Sequence, residues 1–307
     1  MASASLPGAA RGLGARRWLA MLARDPLACL AALFLLLLVA AALLGPALIP
    51  ESAGRMNLRL RNAPPFELAN GWLYVLGADT LGRSMLARLI EASRSTLMVA
   101  SAAVALSFLI GGTLGVLAGY ARGWGATLIL RMADVLMSFP SLLLAVVVLY
   151  TFSPSIANIV VVLAVTRLPV YIRTARAEIL ELRERMFVSA ARVMGAGPVR
   201  TALRHVVPFV LPTLLTLAAV DFAYVMLAES ALSFLGIGIQ PPDVTWGLMV
   251  AQGRGYLASA WWLAFFPGLF IMLTTLSLNL LASWLRVAAD PQQRWRLEPG
   301  GKAGDAP

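Results

Sequence analysis

Six stretches of this chain are long and apolar enough to cross, or nearly cross, a lipid bilayer, and that leaves little choice of fold. The hydrocarbon core of a bilayer is about 30 Å thick, and a helix needs about 20 apolar residues to cross it. Leu27–Leu48, Thr96–Tyr120 and Trp261–Leu285 reach that length without a charged residue. Leu128–Tyr150 carries Arg131 and Asp134 near its start, Ser155–Ile172 contains Arg167, and Val206–Leu235 has Pro208 and Pro212 in its first turns, where proline is tolerated. Backbone groups in lipid must find partners within their own segment, so each span is expected to be a helix. The fold class is therefore an all-α polytopic membrane protein with six transmembrane helices. Composition agrees: 60% of residues are hydrophobic and only 13% charged, whereas a soluble domain is about half apolar and a quarter charged.

The net charge of +10 invites a nucleic-acid reading. The basic residues punctuate apolar runs instead of clustering on one polar face, so that reading is set aside. They fix an orientation instead. With the N-terminus inside, 17 of the 25 Lys and Arg residues fall in inner segments and seven in outer ones, leaving Arg167 within a span. The positive-inside rule then puts both termini in the cytoplasm. Arg16 and Arg17 precede the first span, but its apolar run is too long for a signal peptide, so the pair reads as a topological anchor. Cys29, alone in that run, is expected to be a buried structural thiol, and one histidine, His205, makes no histidine-rich metal site.

Four parts follow: a cytoplasmic segment at 1–26, the first span and outer loop at 27–94, a core of spans at 95–286 with an inner loop at 173–205, and a cytoplasmic tail at 287–307. In the outer loop, Met85, Leu86, Leu89 and Ile90 form a helical stripe after Asp79 and Thr80. A short amphipathic helix over Leu81–Ile90, capped by those two residues and lying on the outer surface, is predicted. The Gly/Pro-rich loop Gly236–Ala260 is expected to dip partly into the membrane, shielded by protein or water. Gly111, Gly112, Gly115 and Gly119 form a GxxxG-like ladder for close helix packing. Pro140, Pro154, Pro169 and Pro267 are expected to kink or end helices.

The inner loop begins with a charged helical stretch, Arg176–Arg185, in which Glu181 and Arg185 stand at i, i+4. Then come Val188-Ser-Ala-Ala-Arg-Val-Met-Gly-Ala-Gly197 and Pro198. Small residues at 189–191 and glycines at 195 and 197 predict a short helix with a low-profile face and a sharp stop. Read from the residues alone, this is a docking face for another protein's groove or a solvated connector.

The spacing Ala190-Ala191-xxx-Gly195, with Pro208 thirteen residues later, resembles the cytoplasmic signature of permease subunits of binding-protein-dependent ABC importers, with Ser189 standing where that signature usually has Glu. Leu76-Gly-Ala-Asp-Thr-Leu-Gly-Arg-Ser-Met-Leu-Ala-Arg-Leu89 is similar to the segment before the second span in the dipeptide/oligopeptide (and nickel) branch. Glu229-Ser-Ala-Leu-Ser-Phe-Leu-Gly-Ile-Gly-Ile-Gln-Pro-Pro242, followed by Trp246-Gly247, resembles a hallmark of its C-type subunits, and Asn279-Leu-Leu, Leu285-Arg286 and Asp290-Pro291 resemble its ending. The usual Gly-Asp before Leu-Arg is replaced here by Ala282-Ser283-Trp284.

The resemblance implies a type I ABC importer transmembrane domain paired with a homologous B-type permease. It also implies two cytoplasmic ATPases and an extracytoplasmic solute-binding protein facing loops 50–94 and 236–260. It implies that Ser189, Ala190, Ala191, Arg192, Gly195 and Gly197 belong to a coupling helix, Ser189–Gly197, seated in an ATPase groove. No cofactor is expected on this chain, and ATP and Mg²⁺ belong to the partner ATPases. The residues agree, because a P-loop needs Gly-Lys-Ser/Thr, while the sole lysine, Lys302, is followed by Ala303.

Asp134, Arg167, Asp221 and Glu229 lie in or near spans, where ionisable groups are costly unless paired or hydrated. Glu229 is assigned to helix–helix hydrogen bonding at the interface with the partner permease ahead of lining the path, and Asp221 either to the path and its gating or to such packing. Arg167 and Asp134 are expected near a membrane face, their charged ends reaching for headgroup level. Ser84, Ser93 and Ser95 have no histidine or cysteine base beside them in sequence, which argues against nucleophilic catalysis. The alternative function is a gradient-driven secondary transporter using Asp221 and Glu229. Such proteins usually carry internal repeats, and none is visible here. The solute is left open, with short peptides first and nickel, opines or other small polar solutes behind them.

Overall fold

The computed structural model describes residues 15–49, 54–67, 70–121, 123–152 and 155–289. Arg11, Arg122, Pro154, the Asp290–Pro291 ending and Lys302 lie outside the described residues. Eleven α-helices follow in order among those described: α1 Ala15–Leu22, α2 Pro26–Leu48, α3 Met85–Tyr120, α4 Trp124–Met137, α5 Ser141–Phe152, α6 Ile156–Leu182, α7 Met186–Val193, α8 Pro198–Thr201, α9 Val207–Phe234, α10 Trp246–Gly253 and α11 Trp262–Ala289. Helices α2, α3, α6, α9 (with α8 and the turn before it) and α11 are each long and apolar enough to cross a membrane, and α4 with α5 makes a sixth span if that bent pair is counted as one.

Asp25 starts α2: its Oδ1 accepts from the Leu27 and Ala28 amides, both at 3.1 Å, and Pro26 follows in the first turn. This helix lies at the periphery. Ala28, Ala31, Leu38 and Ala42 turn inward, while Leu30, Leu33, Leu37 and Leu44 are exposed. Cys29 falls on the outward side and is exposed, so the expected burial of this thiol is not provided by its own chain.

Helix α3 organises the rest. The predicted surface helix before the second span does not form separately, because α3 runs unbroken from Met85 for 36 residues, about 54 Å. Its cap is Ser84, whose Oγ accepts from the Ala87 amide at 3.2 Å. The apolar stripe that suggested a membrane-surface face is buried inside the protein, with Met85 and Leu89 each 1% exposed. Farther along, α3 lies against α6 at a spacing only glycine permits. A Cβ at Gly111 would sit 2.7 Å from the Tyr171 Cβ, one at Gly115 2.6 Å from the Ala175 Cβ and the Ile172 carbonyl oxygen, and one at Gly119 2.7 Å from Ile179 Cγ2. One turn earlier, Ser107 Oγ donates to the Ala164 carbonyl at 3.0 Å. Each step of four on α3 meets a step of four in the same direction on α6, so the helices are parallel and tightly matched.

The third span is broken. Helices α4 and α5 meet at 86° around Phe139 and Pro140. Proline cannot donate to the α4 ladder, and the residue before it is pushed out of helical geometry. Ser138 closes α4 by donating its Oγ to the Asp134 carbonyl at 2.9 Å. Pro169, Pro212 and Pro267 are instead accommodated inside α6, α9 and α11. Helix α6 continues to Leu182, so the first ten residues of the predicted inner loop extend a span.

Two apolar cores result. The outer one joins α3, α5, α6, α9, α10 and α11 through residues such as Val99, Leu149, Leu163, Met226, Trp246 and Phe266. The inner one gathers Tyr171, Ala175, Ile179, Val188, Val206, Val210 and Leu214. Gly115→Ala is expected to destabilise the protein by about 1–3 kcal/mol, because neither the Ile172 backbone nor Ala175 can withdraw. Gly112→Ala, whose Cβ would lie 3.4 Å from Leu214 Cδ1, serves as the near-neutral control. Thermal unfolding of the purified variants in mild detergent measures both.

Candidate functional site

Three groupings of polar and exposed residues stand out, one at each end of the α3–α6 pair and one between them. At the outer end, the two sequence motifs around residues 76–89 and 229–247 fold onto each other. Asp79 Oδ1 accepts from the Leu81 and Arg83 amides at 2.9 and 2.8 Å, which closes its own loop. Its Oδ2 pairs with Arg83 Nε at 2.7 Å and Arg88 Nη1 at 2.9 Å. Arg88 then reaches Gln252 on α10 at 3.2 Å. The Trp246 indole donates to the Leu89 carbonyl at 3.1 Å, its amide to Thr96 Oγ1 at 3.2 Å, and the Trp262 indole to the Ala78 carbonyl at 3.1 Å. Gly247 permits this seating, since a Cβ there would lie 2.5 Å from the Ser230 Cα.

Glu229 belongs to this outer lock. Its Oε1 accepts from Ser233 Oγ at 2.7 Å and Thr245 Oγ1 at 2.9 Å. Thr245 in turn caps α10 by accepting from the Leu248 amide at 3.2 Å, and Ser233 accepts from the Ile239 amide at 3.2 Å. At 1% exposure, Glu229 is enclosed by its own chain. The interface with a partner permease assigned to it from sequence is therefore corrected: one carboxylate fastens α9 to the returning outer loop, which packs on α3 and α9 as α10.

At mid-depth the pattern differs. Arg167 lies about 16 Å along α6 from Ile156, and Asp221 about 21 Å along α9 from Val207. Their side chains form an ion pair, Arg167 Nη2 to Asp221 Oδ1. The Arg167 guanidinium also stacks over the Tyr224 ring at 4.3 Å. The Tyr224 hydroxyl shares a 2.9 Å hydrogen bond with Ser141 Oγ, in the first turn of α5 just past the break. Toward the inner side, Asp134 and Arg173 pair at 2.5 Å with about half of each side chain exposed. Arg167 is thus paired with Asp221 and Asp134 with Arg173, so neither is the lone charge that the sequence reading sent toward headgroup level. Phe139, at the break, is 54% exposed and Tyr224 38%. A broken backbone with half-open charge pairs at this depth does not face acyl chains; it needs protein or water beside it.

At the inner end, α7 covers Met186–Val193, three residues earlier than the predicted Ser189–Gly197 helix, and Gly195 ends it with φ +86°. Val188 is fully buried in the inner core, and Phe187 packs on Phe209 of α9 with ring centroids 5.2 Å apart. Ala191 is 2% exposed, so the smallest face of α7 turns toward its own chain. Ser189, Ala190, Arg192, Gly195 and Gly197 face outward. So do Met186, Val193 and Met194, at 87%, 89% and 81% exposure. Sequence reasoning passed over these three apolar residues, whose signal was their place in a charged loop. It also missed Tyr224, one helical turn beyond Asp221 and so on its face.

Trp246→Ala is expected to remove the indole hydrogen bond to Leu89 and a fully buried indole of the outer core, costing about 3–5 kcal/mol. Added trypsin should then cut at Arg254 faster in sealed vesicles exposing the outer face, without faster cleavage in the α7 region.

The family described as binding-protein-dependent transport system inner membrane component matches residues 111–295. A di/tripeptide transport system permease protein of Pseudomonas aeruginosa is 38% identical over 261 residues, covering 85% of this chain and 86% of that protein. A glutathione transport system permease protein of Pectobacterium atrosepticum is 36% identical over 271 residues, covering 88% of each chain. A probable D,D-dipeptide transport system permease protein of Escherichia coli is 32% identical over 272 residues, covering 89% and 90%. With the helical architecture and the outer and inner motifs in place, the chain belongs to the binding-protein-dependent transport system inner membrane component family and is the multi-pass permease subunit of an ABC importer.

Proposed function

We propose that this subunit forms half of a translocation path for short peptides and takes its energy from separate ATPases through α7. The observation that carries the coupling role is the outward apolar face of Met186, Val193 and Met194 on and just after a helix that carries Arg192 and is flanked by Arg183, Arg185 and Arg200. A solvated connector has no use for three large apolar side chains at more than four-fifths exposure; such a patch is a contact surface. Ser189, Ala190, Arg192, Gly195 and Gly197 rim that surface, and buried Ala191 supports it from behind. ATP and Mg²⁺ bind the ATPases, and this chain supplies neither a nucleotide site nor hydrolysis.

The remaining partners follow from the same reading. A homologous B-type permease covers the broken α4–α5 face and completes the path, and a solute-binding protein docks over the outer lock. Both termini lie in the cytoplasm, on the side of α7. The peptide assignment rests on the named activities of the relatives. A gradient-driven mechanism has no support from the family.

The inner core gives a route for coupling. Val188 touches the cluster formed by Ile179 of α6 with Val206 and Val210 beside and on α9, so a displacement of α7 moves both helices that carry the Arg167–Asp221 pair. Co-purification in mild detergent tests the assignment. Wild type is expected to bring down a second permease and an ATPase. Val193→Asp with Met194→Asp should lower the ATPase yield by roughly tenfold or more while leaving the second permease bound. Ala191→Asp should reduce the yield of the folded subunit itself. A stable wild-type chain that captures no ATPase overturns the coupling role, and an importer that fails to accumulate labelled dipeptides overturns the peptide assignment.

A further inference from the structure

The mid-depth cluster does more than a fold requires. Replacing a buried ion pair with apolar side chains of similar size is often neutral or stabilising, so Arg167 and Asp221 are poor devices for merely joining α6 to α9. Resting on the peptide reading above, we propose that Arg167, held by Asp221 and Tyr224 beside the broken span, is a subsite for the carboxylate group of the passing solute.

Three observations converge on it. First, the guanidinium is fixed in orientation, with Nη2 on Asp221 and its plane over the Tyr224 ring. A planar fork held in place is suited to bidentate binding of a carboxylate. Second, that fork has donors to spare: among the described residues the guanidinium makes no hydrogen bond except Nη2 to Asp221, which leaves Nη1 uncommitted. The side chain keeps 19% exposure, whereas its counterpart Asp221 is 1% exposed. An incoming solute therefore meets the cation before the anion. Third, the Ser141–Tyr224 hydrogen bond brings the first turn of the 12-residue helix α5 to the same ring. The unpaired amides of that turn carry partial positive charge, which offsets the extra negative charge of a bound carboxylate. Arg173, by contrast, pairs with an equally open Asp134, so that pair offers an approaching anion both charges at once.

The test uses the complete importer in proteoliposomes with its ATPases and binding protein. Uptake is followed for one dipeptide and for its C-terminal amide, each at a concentration that saturates the binding protein. The double variant Arg167→Gln with Asp221→Asn avoids leaving one charge unpaired. It is expected to lose about tenfold or more of the uptake rate for the free-carboxylate peptide while moving the amide as fast as wild type. Arg167→Lys, which keeps the charge but not the fork, should fall between the two on the free peptide and match wild type on the amide. Equal loss for both peptides, or no loss for either, overturns the subsite. Failure of the wild-type complex to move either peptide overturns the peptide reading itself, and the subsite with it.

Discussion

The backbone contact between α3 and α6 sets the geometry of everything around it. At Gly111, Gly115 and Gly119 the two helices stand so close that a single added carbon would overlap a neighbour. Lipid acyl chains are as apolar as leucine, so in a bilayer the helices gain nothing from hiding oily surface from one another. They gain from dispersion contacts that only close, extended matching can supply. The parallel direction of the pair matters as much as its closeness. Because both helices run in the same direction, the lock around Asp79, Arg88 and Trp246 sits at the end of the pair where α3 begins. Their inner ends jointly carry the platform for α7.

Those two ends are built from opposite materials, and the difference suits their roles. The outer lock is polar and cross-linked: Asp79 makes four contacts to hydrogen-bond donors, and Glu229, Thr245 and Ser233 form a relay that leads from one helix to the next. Directional bonds of this kind define one arrangement. The platform under α7 is apolar, made of Val188, Ile179, Val206 and Val210 with Phe187 against Phe209. Contacts of that kind transmit a push without requiring bonds to be broken. The roles proposed above, docking at one end and drive at the other, are served by that division.

The helices themselves were legible in the chain because lipid allows so few solutions; run length located five unbroken spans, and Pro140 marked the place where the remaining apolar run breaks into α4 and α5. The glycine ladder announced close packing, though not its partner. What the residues concealed was contact between distant parts. The stripe at Met85 and Leu89 has the same periodicity whether it meets a membrane surface or a protein interior, and only the folded return of α10 decides for the interior. Glu229 looked like an interface residue for the same reason, since its partner Thr245 lies in a loop whose path no periodicity reveals. Cys29 went the other way: α2 packs through Ala28 and Ala31, so an apolar setting in sequence became an outward face. In the coupling region the small residues were read as the contact face, yet Ala191 is small because its own chain crowds it.

The charges at mid-depth show how such a protein reconciles solvation with opening. A lone Arg167 or Asp221 in a span would be driven toward the membrane surface or bind a partner. Placed on adjacent helices at equal depth, they neutralise each other and remain there. Tyr224 supplies a flat, polarisable face under the guanidinium and is itself tethered through Ser141 to the broken span. The break, the stacked ring and the ion pair are thus one unit, contributed by α5, α6 and α9. Two of those three helices also hold the apolar platform beneath α7. A shift of α7 that changed the angle between α6 and α9 would therefore change the reach between Arg167 and Asp221. On the coupling role proposed for α7, that change of reach would link its surface to the ion pair through α6 and α9.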